Sequence, residues 1–371
     1  MKILFVSANS NPLVPPVNGD AQRTRLLYEA CKRFAEVDVV SLAGQPLRTP
    51  QHGRMRKWLA LLPFSKITAL FPVDPHWEAV VDAAVKKTDY DFIVARYFYR
   101  ALSCGLWKYR EKLIVDFDDE LPFFFLNQLA PDAALTRRIR LKLAARKAKH
   151  ITRRAVQKMR GAFFAEECVA KANGGRFLPN IPYYVEGCAD ADLHIQIKRL
   201  VFVGHLDYQP NQEGLSHFLD RVYLPLRERI TDVELHVVGQ IKDEVMRQRW
   251  QGYPGVTVTG FVDDLRQEYA ECQVAVVPVY HSGATNIKLL EAMAMNRACV
   301  TTKEAFAKLG DRFVADSDLG VAANDNGFVE RLVTLLTDEQ ANHDMAHRAK
   351  AVMGKYYSFD AFCEMVKTAI G

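Results

Sequence analysis

The sequence predicts an α/β protein made of two doubly wound domains with parallel sheets, and three observations carry that expectation. Short apolar, β-branched runs alternate with longer segments of helical periodicity, as parallel strands joined by crossover helices require. The alternation is broken by Gly174 to Tyr184, GGRFLPNIPYY, whose two glycines and two prolines read as a linker. At 371 residues the chain is too long for one typical core, and its apolar fraction of 49% is that of a globular protein. The expected division is a first domain over 1–183, a second over 184–355, and a closing helical segment over 356–371.

In the first half, Lys2 to Ser7, Val37 to Leu42, Asp91 to Ala95 and Lys112 to Phe117 read as strands. Helical patterns lie near Gln22 to Phe34, His76 to Lys87 and Leu135 to Met159. A new strand opens at Leu200 to Val203, followed by strands at Glu234 to Val238, Val256 to Thr259, Val274 to Val279 and Cys299 to Thr302. The opening MKILFVSANSNP has one lysine and an apolar run of four residues, so it reads as a first strand and not as a signal peptide. No apolar stretch reaches the roughly 18 residues of a membrane span, so a soluble or peripheral, cytoplasmic protein is expected. The seven cysteines are scattered without a C-x-x-C pair, which argues against a disulfide framework or a zinc site.

Charge is unevenly divided. Residues 1–180 hold 30 Lys and Arg against 17 Asp and Glu, while residues 181–371 hold 19 against 27. Much of the basic excess lies in Arg137 to Arg160, where Ile139, Leu141, Leu143, Ala144, Ile151, Ala155 and Met159 recur at helical spacing. A solvated helix face, a surface for anionic lipid and a nucleic-acid patch all fit that pattern. No nucleic-acid motif accompanies it, so nucleic acid is not an expected partner. Residues 54–71, RMRKWLALLPFSKITALF, form a second basic and apolar segment, fit either for a membrane interface or for a buried helix.

The richest stretch runs from Val274 to Thr302. Val274, Val276, Val277 and Val279 suit a strand covered on both faces, and Ser282, Gly283, Ala284, Thr285 and Asn286 then turn the chain with little side-chain bulk. A helix beginning near Asn286 would aim its free N–H groups at that turn and favour a diphosphate there. Lys288 in its first turn adds a positive charge, and Glu291, three residues on, offers a carboxylate to two ribose hydroxyls. The helix is expected to stop at Asn296, a residue that tolerates left-handed backbone. An ordinary strand-turn-helix with solvated Lys and Glu is the plainer alternative.

Glu291-Ala292-Met293-Ala294 resembles the EAMA signature of retaining glycosyltransferases of the GT-B fold, family 4 (group 1). The position eight before Glu291, usually Glu in that family, is Gly283 here, and the usual Gly and Pro are replaced by Asn296 and Ala298. A branch with a Gly/Thr turn followed by Lys is the nearest pattern. The resemblance implies two Rossmann-like domains facing a cleft, and a closing helix that returns to the first domain. It implies a donor sugar on UDP or GDP, with no separate cofactor or metal, and a glycan or lipid-linked acceptor in cell-surface polysaccharide or glycolipid synthesis. Peripheral contact with the inner face of the cell membrane through 137–160 and 54–71 is the expectation that their basic and apolar residues add. A soluble enzyme with a small acceptor, and a noncatalytic binder of sugar nucleotides, are the alternatives.

The family's donor site extends along further strand ends, by resemblance. Gly204 and His205 follow one strand and lead to the Pro210-Asn211 pair; Gly239 and Gln240 follow the next; Phe261 and Val262 would read a nucleobase after Gly260. Asp264 is expected to cap the next helix. In the first domain, Asn18, Gly19, Asp20 and Arg23 resemble the family's loop over phosphates or acceptor, with only one glycine of the usual pair. There is no G-x-G-x-x-G, so a dinucleotide site is not indicated. The four carboxylates of Asp116-Phe117-Asp118-Asp119-Glu120 are expected to raise one another's pKa if they are close in space. Asp118 and Asp119 are expected to touch donor sugar or acceptor, against the plainer reading of helix capping or pairing with Arg96 and Arg100.

Overall fold

A computed structural model of the chain describes residues 1–16, 18–48, 71–118, 134–182, 198–280 and 286–371. It divides into two compact units, Met1–Asn180 with Phe359–Gly371, and Ile181–Ser358.

The first unit is a six-stranded parallel sheet of β1 (Lys2–Ser7), β2 (Glu36–Ser41), β3 (Phe92–Arg96), β4 (Leu113–Asp118), β5 (Gly161–Phe164) and β6 (Arg176–Phe177). Their order is β2-β1-β3-β4-β5-β6, so the winding reverses between β1 and β3. β1 and β3 run almost wholly buried, as strands covered by helices on both faces must. Rings of Phe98, Phe117 and Phe164 stack in sequence at centroid distances of 5.0 and 4.8 Å within the core of this unit. β5 and β6 were not expected from the sequence, because GAFF and RF are too short to display a period. The helix Phe359–Ile370 lies against the helix Gly19–Lys32 of this unit. Arg33 stacks 5.0 Å over the Phe359 ring and pairs with Asp360 at 3.1 Å.

The second unit repeats the plan with β7 (Arg199–Val203), β8 (Glu234–Val238), β9 (Val256–Gly260), β10 (Val274–Val277), β11 (Ala298–Thr302) and β12 (Gly320–Ala322), all parallel. The order β12-β11-β10-β7-β8-β9 reverses between β7 and β10. Ligands of such sheets sit outside the carboxyl ends of the strands at that reversal. Every residue of β10 and β11 is buried. Phe218, Trp250 and Phe328 close the core around Phe202, Val237 and Val276. β12, three residues long, was also not foreseen.

Two helix ends follow the sequence closely. After the helix Ile287–Ala294, Asn296 takes left-handed backbone at φ 57°. Asp264 accepts a hydrogen bond from the Arg266 amide at 2.9 Å and caps the helix Leu265–Ala270.

Candidate functional site

In the second unit, polar residues gather at the carboxyl ends of β7, β8 and β10, on either side of the reversal. Gly204 follows β7, and its amide donates to the Val238 carbonyl at 2.9 Å. Gly239 follows β8 with φ 145°, and a Cβ there would lie 1.7 Å from the Gly204 carbonyl oxygen, so only glycine allows these two loops to meet. Leu206 then donates to the Gln240 carbonyl at 2.9 Å. These contacts pin the loop after β7 and so fix Asn211, a buried residue in the first turn of the helix Gln209–Phe218. The Asn211 amide donates to the His205 carbonyl at 2.9 Å and accepts from Lys288 Nζ at 2.6 Å.

Lys288 is thereby held over the Phe202 ring at 5.0 Å, beside Gly204. A Cβ at Gly204 would meet the Asn211 amide at 3.0 Å and Lys288 Nζ at 3.2 Å, so the missing side chain leaves the room in which the ammonium sits. Among the described residues Asn211 is the one hydrogen-bond partner of that ammonium, and no donor bonds the Glu291 carboxylate. Burial pushes the Lys288 pKa down to about 8, with Glu291 opposing the shift. Burial likewise pushes Glu291 up to about 7, with Lys288 opposing it. Two opposite charges are thus partly withdrawn from water with few partners, a costly arrangement that a ligand carrying phosphate and hydroxyl groups would relieve.

Asn286 stands at the cap position of the helix that carries Lys288 and Glu291, while Ser282, Gly283, Ala284 and Thr285 lie outside the described residues. Phe261, just past β9, is 72% exposed, with Val262 half-buried beside it. His205 and Gln240 are exposed at the same edge. The sequence reading missed Tyr280, three residues past β10. Its ring meets His217 edge-on at 4.5 Å, and His217 Nε2 lies 2.8 Å from Asp325 Oδ1. These three come from separate segments, and no spacing in the sequence joins them.

In the first unit, the charged residues at strand ends form a closed network. Asp116 is fully buried, and Arg23 grips it with Nε and Nη2, both at 2.8 Å. The other Arg23 hydrogens reach the carbonyls of Leu178 and Pro179 at 3.0 Å and Asn180 Oδ1 at 2.9 Å. All five of its N–H groups are therefore used inside the domain. Arg96, also buried, donates to Asp116, to Thr24 at 3.2 Å, to Asp20 at 3.0 Å and to Asp118 at 3.1 Å. Asp118 and Tyr97 both carry left-handed backbone, at φ 60° and 59°, a conformation that side chains adopt at a cost.

Several expectations for this edge change accordingly. Mutual repulsion does not govern Asp116: burial alone would raise its carboxyl, but Arg23 and Arg96 overcome that and hold it below the usual carboxylate range. Asp118 is 15% exposed and joins Arg96, whereas Arg100 turns to Asn9 at 2.7 Å. Asp119 lies outside the described residues. Asn18 is spent capping the helix Gly19–Lys32, of which Gly19 is the first residue, and accepts from the Ala21 amide at 2.9 Å. Asp20, bonded by Ser10 and Arg96, keeps 26% of its side chain exposed and faces out beside Asp118.

Residues 197–338 match the family model described as Glycosyl transferases group 1. No curated protein matches the sequence. Solved structures resemble the whole chain in fold at low identity. A sucrose-phosphate synthase from Thermosynechococcus elongatus superposes with a TM-score of 0.66 at 14% identity, covering 99% of this chain and 97% of its own. HepE from Anabaena, solved with UDP, gives 0.63 at 14% identity over 100% and 99%. WaaG, a glycosyltransferase involved in lipopolysaccharide biosynthesis, gives 0.59 at 16% identity over 99% and 98%.

Proposed function

We propose, for a chain that carries a glycosyltransferase group 1 domain on a GT-B frame, the transfer of a sugar from a nucleoside diphosphate to a glycan or lipid-linked acceptor with retention of configuration. The observation that carries this reading is Lys288, a half-buried ammonium with a single hydrogen-bond partner among the described residues, set where the strand order reverses. The diphosphate would take the place beside Lys288 and the helix start at Asn286, and Glu291 would accept from the ribose hydroxyls. Phe261, exposed past β9, offers a face to the base. UDP is the favoured carrier over GDP, in keeping with the UDP bound in the HepE structure.

As the glycosidic bond breaks, negative charge grows on the leaving phosphate, and an ammonium already aimed there stabilises the transition state more than the ground state. With retention, the acceptor attacks the face that the leaving group departs, and the departing phosphate takes the acceptor's proton. Asp118 and Asp20, partly exposed and oriented by Arg96, would receive the acceptor in the first domain. The reaction belongs to cell-surface polysaccharide or glycolipid synthesis on the cytoplasmic side.

A thermal-shift screen against UDP-, GDP-, ADP-, CMP- and TDP-linked sugars tests the donor site. A ligand at about 100 times its Kd stabilises by about 2.7 kcal/mol. One nucleotide class should raise the melting temperature of the wild type and not that of Glu291→Ala; silence from every class would remove the donor reading.

A further inference from the structure

The basic segment singled out in the sequence forms one long helix, Leu135–Val156, whose outward face has no counterpart in the reaction just described. Its inward side is narrow and made mostly of small residues: Leu141, Ala144, Ala145, Ala148, Thr152, Ala155 and Val156. Along the middle of the opposite side, at spacings of four, lie Leu135, Ile139 and Leu143, which are 71%, 45% and 39% exposed. Nine Lys and Arg and no Asp or Glu occupy this helix. Among the described residues no carboxylate pairs with Arg138, Lys142, Arg146, Lys149 or Arg153, which flank or continue the apolar row. A helix that merely faces water is ordinarily laced with acidic partners at i,i+4, and this one has none.

We propose that this face docks on an anionic lipid bilayer, with Leu135, Ile139 and Leu143 entering the headgroup boundary and the surrounding cations lying on lipid phosphates. The exposed apolar row selects lipid over nucleic acid, since a phosphate backbone rewards the cations but gives nothing for three bared aliphatic side chains. Electrostatic attraction to the surface and burial of the row act together, as reversible interfacial binding requires. The topology gives the contact a use. β4 and β5 run parallel, so the helix between them runs back against the strands and begins on the side of their carboxyl ends. Leu135 therefore lies toward the edge that bears Asp118, and docking there presents that edge to an acceptor carried in the membrane. The inference rests on the proposed transfer reaction for the meaning of the contact, and on the helix alone for its existence.

Sedimentation of the full chain with vesicles of phosphatidylcholine, with and without phosphatidylglycerol, tests it. Binding should require phosphatidylglycerol and weaken with added salt. The triple variant Arg138→Glu, Lys142→Glu, Arg146→Glu should lower partitioning on the order of 100-fold or more, at roughly 1 kcal/mol per basic residue. The double variant Ile139→Ser, Leu143→Ser, which keeps every charge, should lower it by about tenfold or more. All five sites are exposed, and unchanged melting of the variants shows that they fold. Equal binding to both vesicle types, or either variant binding like the wild type, would overturn the proposal. Tighter binding to single-stranded RNA than to anionic vesicles would also overturn it and assign the face to nucleic acid. The nucleotide-sugar screen on the same preparation reads the donor site separately, so either idea can fail alone.

Discussion

In the first domain, Arg23, Arg96 and Asp116 are buried at the strand ends and meet one another in a dense set of hydrogen bonds; in the second, Lys288 and Glu291 stand at the corresponding edge with a single bond to Asn211 between them. Both sheets are parallel and doubly wound, and both place charge where such folds bind ligands. The difference lies in how the cost of removing charge from water is met. Where protein groups meet it, the charge holds the frame: Arg23 ties β4 to the segment that leaves the domain at Asn180. Where they do not, the charge waits for something from outside. Shifted pKa values follow the same division, since Asp116 falls below the usual range while Lys288 and Glu291 move toward neutrality.

Asp116 should show the structural role of the first-domain network most strongly. Asp116→Ala leaves two buried guanidinium groups without their shared carboxylate, and should cost roughly 3–5 kcal/mol of stability in chemical denaturation. A loss under about 1 kcal/mol would mean that the network is not the frame of the first domain. Lys288→Ala should instead reduce turnover by about 100-fold, close to 3 kcal/mol of transition-state stabilisation, in steady-state assays with saturating donor. Gly214→Ala tests the scaffold beneath the site. A Cβ there would lie 2.2 Å from the Pro278 carbonyl oxygen, so the helix bearing Asn211 must shift from β10, at about 1–3 kcal/mol in stability and with weaker donor binding.

A pH profile of donor affinity gives the smallest and sharpest test. A diphosphate favours protonated Lys288, so affinity should fall as pH rises through about 8, by up to about tenfold per unit. Ribose hydroxyls favour ionised Glu291, so affinity should also fall as pH drops through about 7. In the ligand-free protein the signs agree with a site built at a cost. The raised Glu291 pKa gives stability that is present in acid and lost through about 7, and the lowered Lys288 pKa gives stability that is present in alkali and lost through about 8. Calorimetric titrations across this range should lose the acid limb in Glu291→Gln and keep the alkaline one.

The sequence revealed the second domain better than the first, for a physical reason. Donor-site signals are local: a valine strand, a small-residue turn, then Lys288 and Glu291 three apart on one helix, with Asn296 ending it in left-handed backbone as its type suggests. Local signals survive in a linear reading. Arg23 and Asp116 are 93 residues apart, and nothing near Arg23 tells whether its guanidinium will meet a phosphate or a buried carboxylate. Arg23 therefore reads as a ligand-loop residue in sequence and proves fully engaged within the domain. The strands Gly161–Phe164 and Gly320–Ala322 escaped for a different reason, being too short to show a period before a neighbouring strand pairs with them.

Titration of UDP into wild type and Lys288→Ala, with the unfolding midpoint of both measured in the same buffer, tests most directly whether the lysine is held for a ligand and not for the fold. Affinity should fall by at least about tenfold while the midpoint moves by no more than a few degrees, roughly 1 kcal/mol or less. Unchanged affinity together with a steep fall in the midpoint would contradict it, and would make Lys288 a structural residue like Arg23.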